Sequence, residues 1–436
     1  MAIPLQSDAA VTRDSFSFPV PRSAYVHIPF CRRRCFYCDF PISVMGDNLR
    51  GETSGTVEQY VQVLCQEIEA TPSAGEPLET VFFGGGTPSL LSVQQLERIL
   101  TTLDQCFGFA PNVEISMEMD PGTFDLAHLQ GYRALGVNRI SLGVQSLHDE
   151  LLKACGRTHT VTDVRQAVDW LHHANTPSWS LDLISGLPHQ TMAMWEEGLK
   201  GAIALCPNHL SVYDLTVEPQ TVFAHRYEPG DHPLPTDEQT AQMYRLAQHS
   251  LTTAGYDHYE ISNYAQPGHQ CRHNRTYWEN QSYYGFGMGA TSYVNGQRYG
   301  RPRKIREYFE WVDTFIQQGG TLDATTTPAT EQFLDSLMLG LRLAEGVSGK
   351  ALVRICSVDK WQKLLQCLEP HLKKGWVILE LTSDAARLGK IPGPASALRL
   401  RLSDPEGFLF SNVVLVDLFE AFADDAEAEK GVSSLQ

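Results

Sequence analysis

Basic residues are in short supply. The 436-residue chain carries 34 Lys and Arg against 51 Asp and Glu, a formal net charge of −17. A surface of that sign repels nucleic acid and anionic membrane. The densest basic stretch, Arg301, Pro302, Arg303, Lys304 and Arg306, is short and reads as a solvated loop leading into a helix. No apolar run reaches the length that spans a bilayer. Residues 1–22 lack the basic start and long apolar stretch of a secretory signal, so they read as a disordered leader and the protein as cytoplasmic. Low-complexity tracts are missing, and no repeat exists beyond the strand–helix rhythm described below. The ten cysteines form one tight cluster and otherwise scatter. Without a secretion signal, that distribution argues for reduced thiols and a metal site, not for a disulfide framework.

What is present describes a globular chain, with 42% hydrophobic and 19% charged residues. Its length predicts one large α/β domain and a smaller second one. Six short β-rich runs recur: Tyr25–Phe30, Val81–Phe83, Val113–Met119, Arg139–Val144, Trp179–Ile184 and His209–Leu215. Helical periodicity fills segments between them, as in Val93–Cys106, Val161–His173 and Met194–Leu205. That rhythm predicts βαβ units and a parallel sheet. Six units predict a partial (β/α)6 barrel, since a closed one needs about eight strands. The expected division is a core barrel over 23–255, a connecting segment over 256–326 and a C-terminal accessory domain over 327–436. Helices followed by a hairpin, Trp376–Leu381 with Leu398–Leu402, and a last helix make that accessory domain mainly helical and winged-helix-like.

The sharpest signal is His27-Ile-Pro-Phe-Cys31-Arg-Arg-Arg-Cys35-Phe-Tyr-Cys38, a C-x3-C-x2-C loop after the first strand. Three thiolates this close can wrap one iron–sulfur cluster, each binding one iron and leaving another iron open. The flanking Arg32, Arg33 and Arg34 are expected to lower the thiol pKa values. A zinc site would need a fourth ligand, for which Asp39 or His27 is available. Cys65, Cys106, Cys155, Cys206, Cys271, Cys356 and Cys367 read as small core residues.

Chemistry in parallel α/β barrels gathers at the carboxyl ends of the strands. There this sequence places Gly84-Gly85-Gly86-Thr87, Glu118 and Asp120, Gln145, Asp182 and Thr216. The glycines would let backbone groups approach a ligand. Glu118 could accept hydrogen bonds from an amine or ribose, and Arg157 could grip a carboxylate bidentately. Together they describe a pocket for a polar, zwitterionic ligand.

These residues resemble the radical S-adenosylmethionine (SAM) superfamily, and within it proteins similar to oxygen-independent coproporphyrinogen III oxidase. The stretches that carry the likeness include YVHIPFC, FFGGGTPSLL, SMEMDP, ISLGVQS, LDLISGLP, HNRTYW and DPEGFLFSN. The resemblance implies that Cys31, Cys35 and Cys38 bind a 4Fe–4S cluster at which SAM is bound and reductively cleaved. It implies that Tyr25, Gly85, Gly86, Thr87, Glu118 and Asp182 contact that cofactor, and that Tyr37, Gln145 and Arg157 touch a second SAM. The oxidase has a fourth cysteine two residues after the third, where this chain has Phe40. His273-Asn274-Arg275-Thr276-Tyr277-Trp278 looks like the HNxxYW signature of the haem-chaperone branch, HemW. That branch implies haem binding, haemoprotein acceptors, a reductant protein for the cluster and no oxidase activity, with His273 a candidate haem ligand and Cys271 a second one. On residue types alone, a buried polar corner around His273 fits as well. Two other readings stay open, the oxidase itself and a radical SAM enzyme with an unknown substrate.

Overall fold

The computed structural model describes residues 19–46, 51–321, 327–383 and 393–425. The leader expected over 1–22 lies outside these residues up to position 18. Arg22 is already tied down, its guanidinium bonded to Glu76 and Glu79 at 2.8 and 2.6 Å.

All six expected strands form: β1 (Ser23–Ile28), β2 (Leu78–Gly85), β3 (Phe109–Met119), β4 (Arg139–Gln145), β5 (Ser178–Ser185) and β6 (His209–Asp214). They lie parallel and in sequence order. The helices between them start where side chains can cap them. Ser92 and Gln95 form a reciprocal box at the start of Val93–Phe107, and Thr160 and Asp163 do the same for Val161–His173. Val93–Phe107 buries Leu96, Ile99, Leu100, Leu103 and Phe107, one face of a helix.

Three short stretches of the segment expected to connect the two domains join the sheet. β7 (Asp257–Glu260) and β8 (Asn263–Ala265) extend it antiparallel beyond β6, while β9 (Tyr284–Phe286) adds a parallel strand outside β1. The resulting order is β9-β1-β2-β3-β4-β5-β6-β8-β7, an open nine-stranded sheet. These added strands are three or four residues long, too short for a period-two pattern to mark them.

Partners across a parallel ladder point to the same face. Ala24, Val26, Val81, Phe83, Ile115, Met117, Ile140, Leu142 and Leu181 turn towards the helices and form the main core with them. Many of the alternate residues are polar and stack in rows: Glu118 beside Ser141, Ser141 beside Ser180, Ser180 beside His209, and Asp182 beside Ser211. The concave face therefore carries hydrogen-bonding groups that need partners.

The C-terminal part has its own core around Trp361, Leu364, Leu368 and Phe333. Helices Ala329–Gly340, Val358–Lys374 and Ser411–Ala421 pack with a three-stranded antiparallel sheet, whose Val377–Leu381 and Ala397–Leu402 pair as expected. Among the described residues, no helix is long and apolar enough to cross a membrane.

Candidate functional site

The cysteine loop leaves β1 and folds back, with Phe30–Cys31 bridged in parallel to Ser43–Val44. Its arginines serve as braces. Arg34 donates to the carbonyls of Cys38 and Phe40 at 3.2 and 3.1 Å, and Arg32 to that of Gly122 at 2.9 Å. Arg303, from the stretch read as a basic patch, donates to the Asp39 carbonyl at 2.7 Å. The expected acidification of the thiols does not follow. Burial pushes the Cys31 thiol up to about 12 and raises that of Cys38. These thiols ionise when a metal centre supplies compensating charge.

His27 is buried, and both of its ring nitrogens are engaged, Nδ1 with the Tyr25 hydroxyl and Nε2 with the Pro41 carbonyl, each at 2.9 Å. Desolvation lowers its pKa to about 4. It is therefore a strut between β1 and the cysteine loop and not the fourth ligand of a zinc site. Among the described residues, no three His, Cys, Asp or Glu side chains converge on a point where one ion would sit. The donor set fits a cluster of several irons, each taking one thiolate.

The glycines at the end of β2 serve this loop directly. A Cβ on Gly86 would lie 2.9 Å from Cys31 Sγ and 2.7 Å from the Phe30 carbonyl oxygen. Gly85 has φ +116°, and a Cβ there would be 2.5 Å from the His27 ring. Their lack of side chains is used by the cysteine loop, beyond any ligand.

Cys31, Cys35 and Cys38 line one cavity of about 520 Å³ together with Tyr37, Gly85, Gly86, Thr87, Glu118, Gln145, Arg157 and Asp182. Its size suits a cofactor-sized molecule. Tyr25 lies outside the lining, with its hydroxyl on His27. Glu118 accepts from the Gly85 N–H at 3.0 Å; burial first, then the charges of Asp182 and Asp120, push its carboxyl up to about 8. Asp182 accepts from Ser141 at 2.8 and 3.0 Å and from Ser180 at 3.0 Å, while burial raises its pKa. Gln145 holds φ +67° at the end of β4, a conformation few non-glycine residues adopt.

Arg157, expected to grip a carboxylate, already has partners within the protein. Its guanidinium is ion-paired with Asp120, donates from Nη2 to the Gly143 carbonyl at 2.9 Å and from Nη1 to Cys35 Sγ at 3.5 Å. Ser141 does not stand out as a site residue in the sequence, since its partner Asp182 lies 41 positions away.

His273 stands apart from this cavity. It opens the short helix Arg272–Trp278, whose first N–H groups donate to Glu114 at 3.1 and 3.0 Å. The imidazole is fully buried, with Nδ1 on Thr80 Oγ1 and Nε2 on the Tyr277 hydroxyl, both at 2.8 Å, and it stacks on Phe82. Burial lowers its pKa to about 3. In this conformation it forms the buried polar corner, bonded to side-chain hydroxyls, and neither ring nitrogen is free for iron. Cys271 is buried as well, its thiol pushed up to about 12. Of the cysteines read as core, Cys206 is exposed.

Residues 25–200 match the family model of the Radical SAM superfamily. The heme chaperone HemW of Synechocystis sp. is 47% identical over 409 residues, covering 94% of this chain and 99% of that protein. The heme chaperone HemW of Bacillus subtilis is 36% identical over 383 residues, covering 87% and 95%. Among solved structures, coproporphyrinogen III oxidase (HemN) from Escherichia coli superposes with a TM-score of 0.75 at 24% identity, covering 92% of this chain and 90% of that one. That likeness establishes a shared fold.

Proposed function

Because the chain belongs to the radical SAM superfamily and, within it, to the HemW family, we propose that it is a haem chaperone that binds haem and passes it to acceptor haemoproteins. The observation that carries this reading is the 47% identity to a heme chaperone HemW across nearly the whole of both chains. Phe40 adds to it. It stands at the cavity rim, 56% exposed, where the resemblance places the oxidase's fourth cysteine.

On this reading Cys31, Cys35 and Cys38 hold the 4Fe–4S cluster. Gly85, Gly86, Thr87, Glu118 and Asp182 hold SAM, with Tyr25 behind them and Tyr37 and Gln145 further along the same cavity. When bound, the cluster supplies single electrons and SAM the bond that such an electron can cleave. The protein's own part is positional. Glu118 keeps a proton while the cavity is free and becomes a carboxylate when an ammonium group arrives beside it. Asp182 is fixed by its serines as an acceptor, and Arg34 braces the cysteine loop through the Phe40 carbonyl. The partners are haem, haemoprotein acceptors of respiratory type and a cytoplasmic reductant protein.

His273 can serve as a haem ligand only if Thr80 or Tyr277 releases a ring nitrogen. The test is anaerobic reconstitution followed by haem titration, with a parallel assay on coproporphyrinogen III, SAM and a reductant. Saturable haem binding without protoporphyrinogen supports the chaperone. Product that depends on Cys31, Cys35 and Cys38 would make the protein an oxidase. If His273 binds the iron, His273→Ala abolishes the haem spectrum and Thr80→Val, by freeing Nδ1, strengthens binding. If haem sits elsewhere, Thr80→Val leaves affinity unchanged.

A further inference from the structure

Two polar side chains reach cysteine sulfurs in the cavity: Arg157 Nη1 lies 3.5 Å from Cys35 Sγ and Thr87 Oγ1 3.6 Å from Cys31 Sγ. They differ in what else they do. Thr87 has one hydroxyl hydrogen, and Asp120 Oδ2 competes for it at 3.1 Å. Arg157 reaches Cys35 through Nη1 and its other partners through Nη2, so its bond to the sulfur needs no other bond to break.

The Arg157 side chain is 8% exposed and held on several sides. Nη2 is taken by Asp120, by the Gly143 carbonyl and by His159 Nδ1 at 3.4 Å, while His159 donates through Nε2 to the Val144 carbonyl at 3.1 Å. Asp120 is itself fixed. Its N–H donates to Ser89 Oγ at 3.2 Å, and its carbonyl accepts from Thr123 Oγ1 at 2.7 Å. A guanidinium anchored this way presents Nη1 to the sulfur as a preset donor. Hydrogen bonds to ligand sulfurs and nearby positive charge both stabilise the reduced, more negative state of an iron–sulfur cluster.

We propose that Arg157 is a positioning residue of the cluster, held by Asp120 so that its N–H and charge rest on Cys35 and raise the cluster's reduction potential. The proposal rests on the reading that Cys31, Cys35 and Cys38 hold a 4Fe–4S cluster. It gives Asp120 a task that neither the cysteine motif nor the glycine turn assigns.

The experiment is a redox titration followed by electron paramagnetic resonance on the full-length reconstituted protein without SAM, alongside SAM binding by equilibrium dialysis. Iron content and circular dichroism establish that each variant is folded and loaded. Arg157→Met should lower the reduced-to-oxidised ratio at a fixed poise about tenfold, equivalent to about 59 mV for one electron. Arg157→Lys, which keeps the charge and loses the fork, should recover part of that shift. Asp120→Ala should lower the ratio in the parent, where it frees Arg157. In the Arg157→Met background it should raise it, because only the loss of a negative charge remains. An unchanged SAM-free potential in Arg157→Met, with weakened SAM binding, would overturn the proposal and return Arg157 to the ligand. A rise for Asp120→Ala in both backgrounds would overturn the anchoring role. A parent chain that takes up no 4Fe–4S cluster sinks the underlying reading and the proposal with it, an outcome distinct from the other two.

Discussion

Glu118 shows how far one buried carboxyl can shape the behaviour of the site. Its pKa in the fold is about 8 against an ordinary 4.5, so between those values the folded chain keeps a proton that the unfolded chain has released. Stability must then fall as the pH rises through that window. Glu118→Gln removes the effect: its thermal midpoint should match the parent's near pH 4 and exceed it increasingly up to pH 8. If Glu118 receives the SAM ammonium group as proposed, SAM affinity should have the opposite slope, strengthening towards pH 8 as the carboxylate becomes available, and the variant should flatten that profile in a binding titration. Gly86 offers a second test at this scale. An added methyl meets the Phe30 carbonyl and the Cys31 sulfur, so Gly86→Ala should displace the cysteine loop. Iron retained after reconstitution should fall severalfold while circular dichroism stays near that of the parent.

Among the elements, the helix Gly55–Ala70 is tied through one buried carboxylate to residues 287–308. Glu67 and Arg301 form an ion pair with no exposed side-chain surface, 2.7 Å apart. Glu67 also accepts from the Tyr308 hydroxyl at 2.6 Å and the Gly287 N–H at 2.8 Å. The stretch read as a solvated basic patch is thus divided. Arg301 points inward and Arg303 braces the cysteine loop, while Lys304 and Arg306 pair on the surface with Glu307 and Glu310. Breaking a buried pair by removing one partner costs about 3–5 kcal/mol. Arg301→Met should lose stability on that scale in denaturant unfolding, and the double variant with Glu67→Gln should recover part of it. Arg306→Met, on the exposed face, should lie within about 0.5 kcal/mol of the parent.

For the whole molecule, the question is what seats the C-terminal part on the barrel. Backbone bonds join them, among them Ile261 N–H to the Arg342 carbonyl at 2.9 Å and Ala344 N–H to the Tyr259 carbonyl at 3.0 Å. Arg245 grips Glu406 through two bonds at 2.6 and 2.9 Å, and Asp404 accepts from Gln248 and pairs with the buried His258. The Arg245 pair is about two-fifths exposed and contributes little. His258 is different, because losing Asp404 leaves Nδ1 buried without a partner, a cost of about 1–3 kcal/mol. Asp404→Ala should speed limited proteolysis between the two parts while barely changing cluster content. An unchanged cleavage rate would show that the backbone bonds and apolar packing suffice.

The amino-acid chain alone dictates the six parallel strands, the cysteine loop and the face on which the polar strand ends gather. Those features are written in local spacing: period-two runs, three cysteines within eight positions and residues that end strands. It also determined that Glu118 and Asp182 share a cavity with the cysteines, because parallel strands bring their carboxyl ends together. Which groups are free to act is settled by packing in three dimensions. Arg157 is spent on Asp120 and on a sulfur 122 positions away, Arg301 on a carboxylate 234 positions away, and His27 on its own loop. The same holds for His273, whose ring nitrogens are taken by Thr80 and Tyr277. Such choices follow from the rule that buried polar groups must find partners, and which partner lies within about 3 Å is fixed by packing and not by neighbours in the chain.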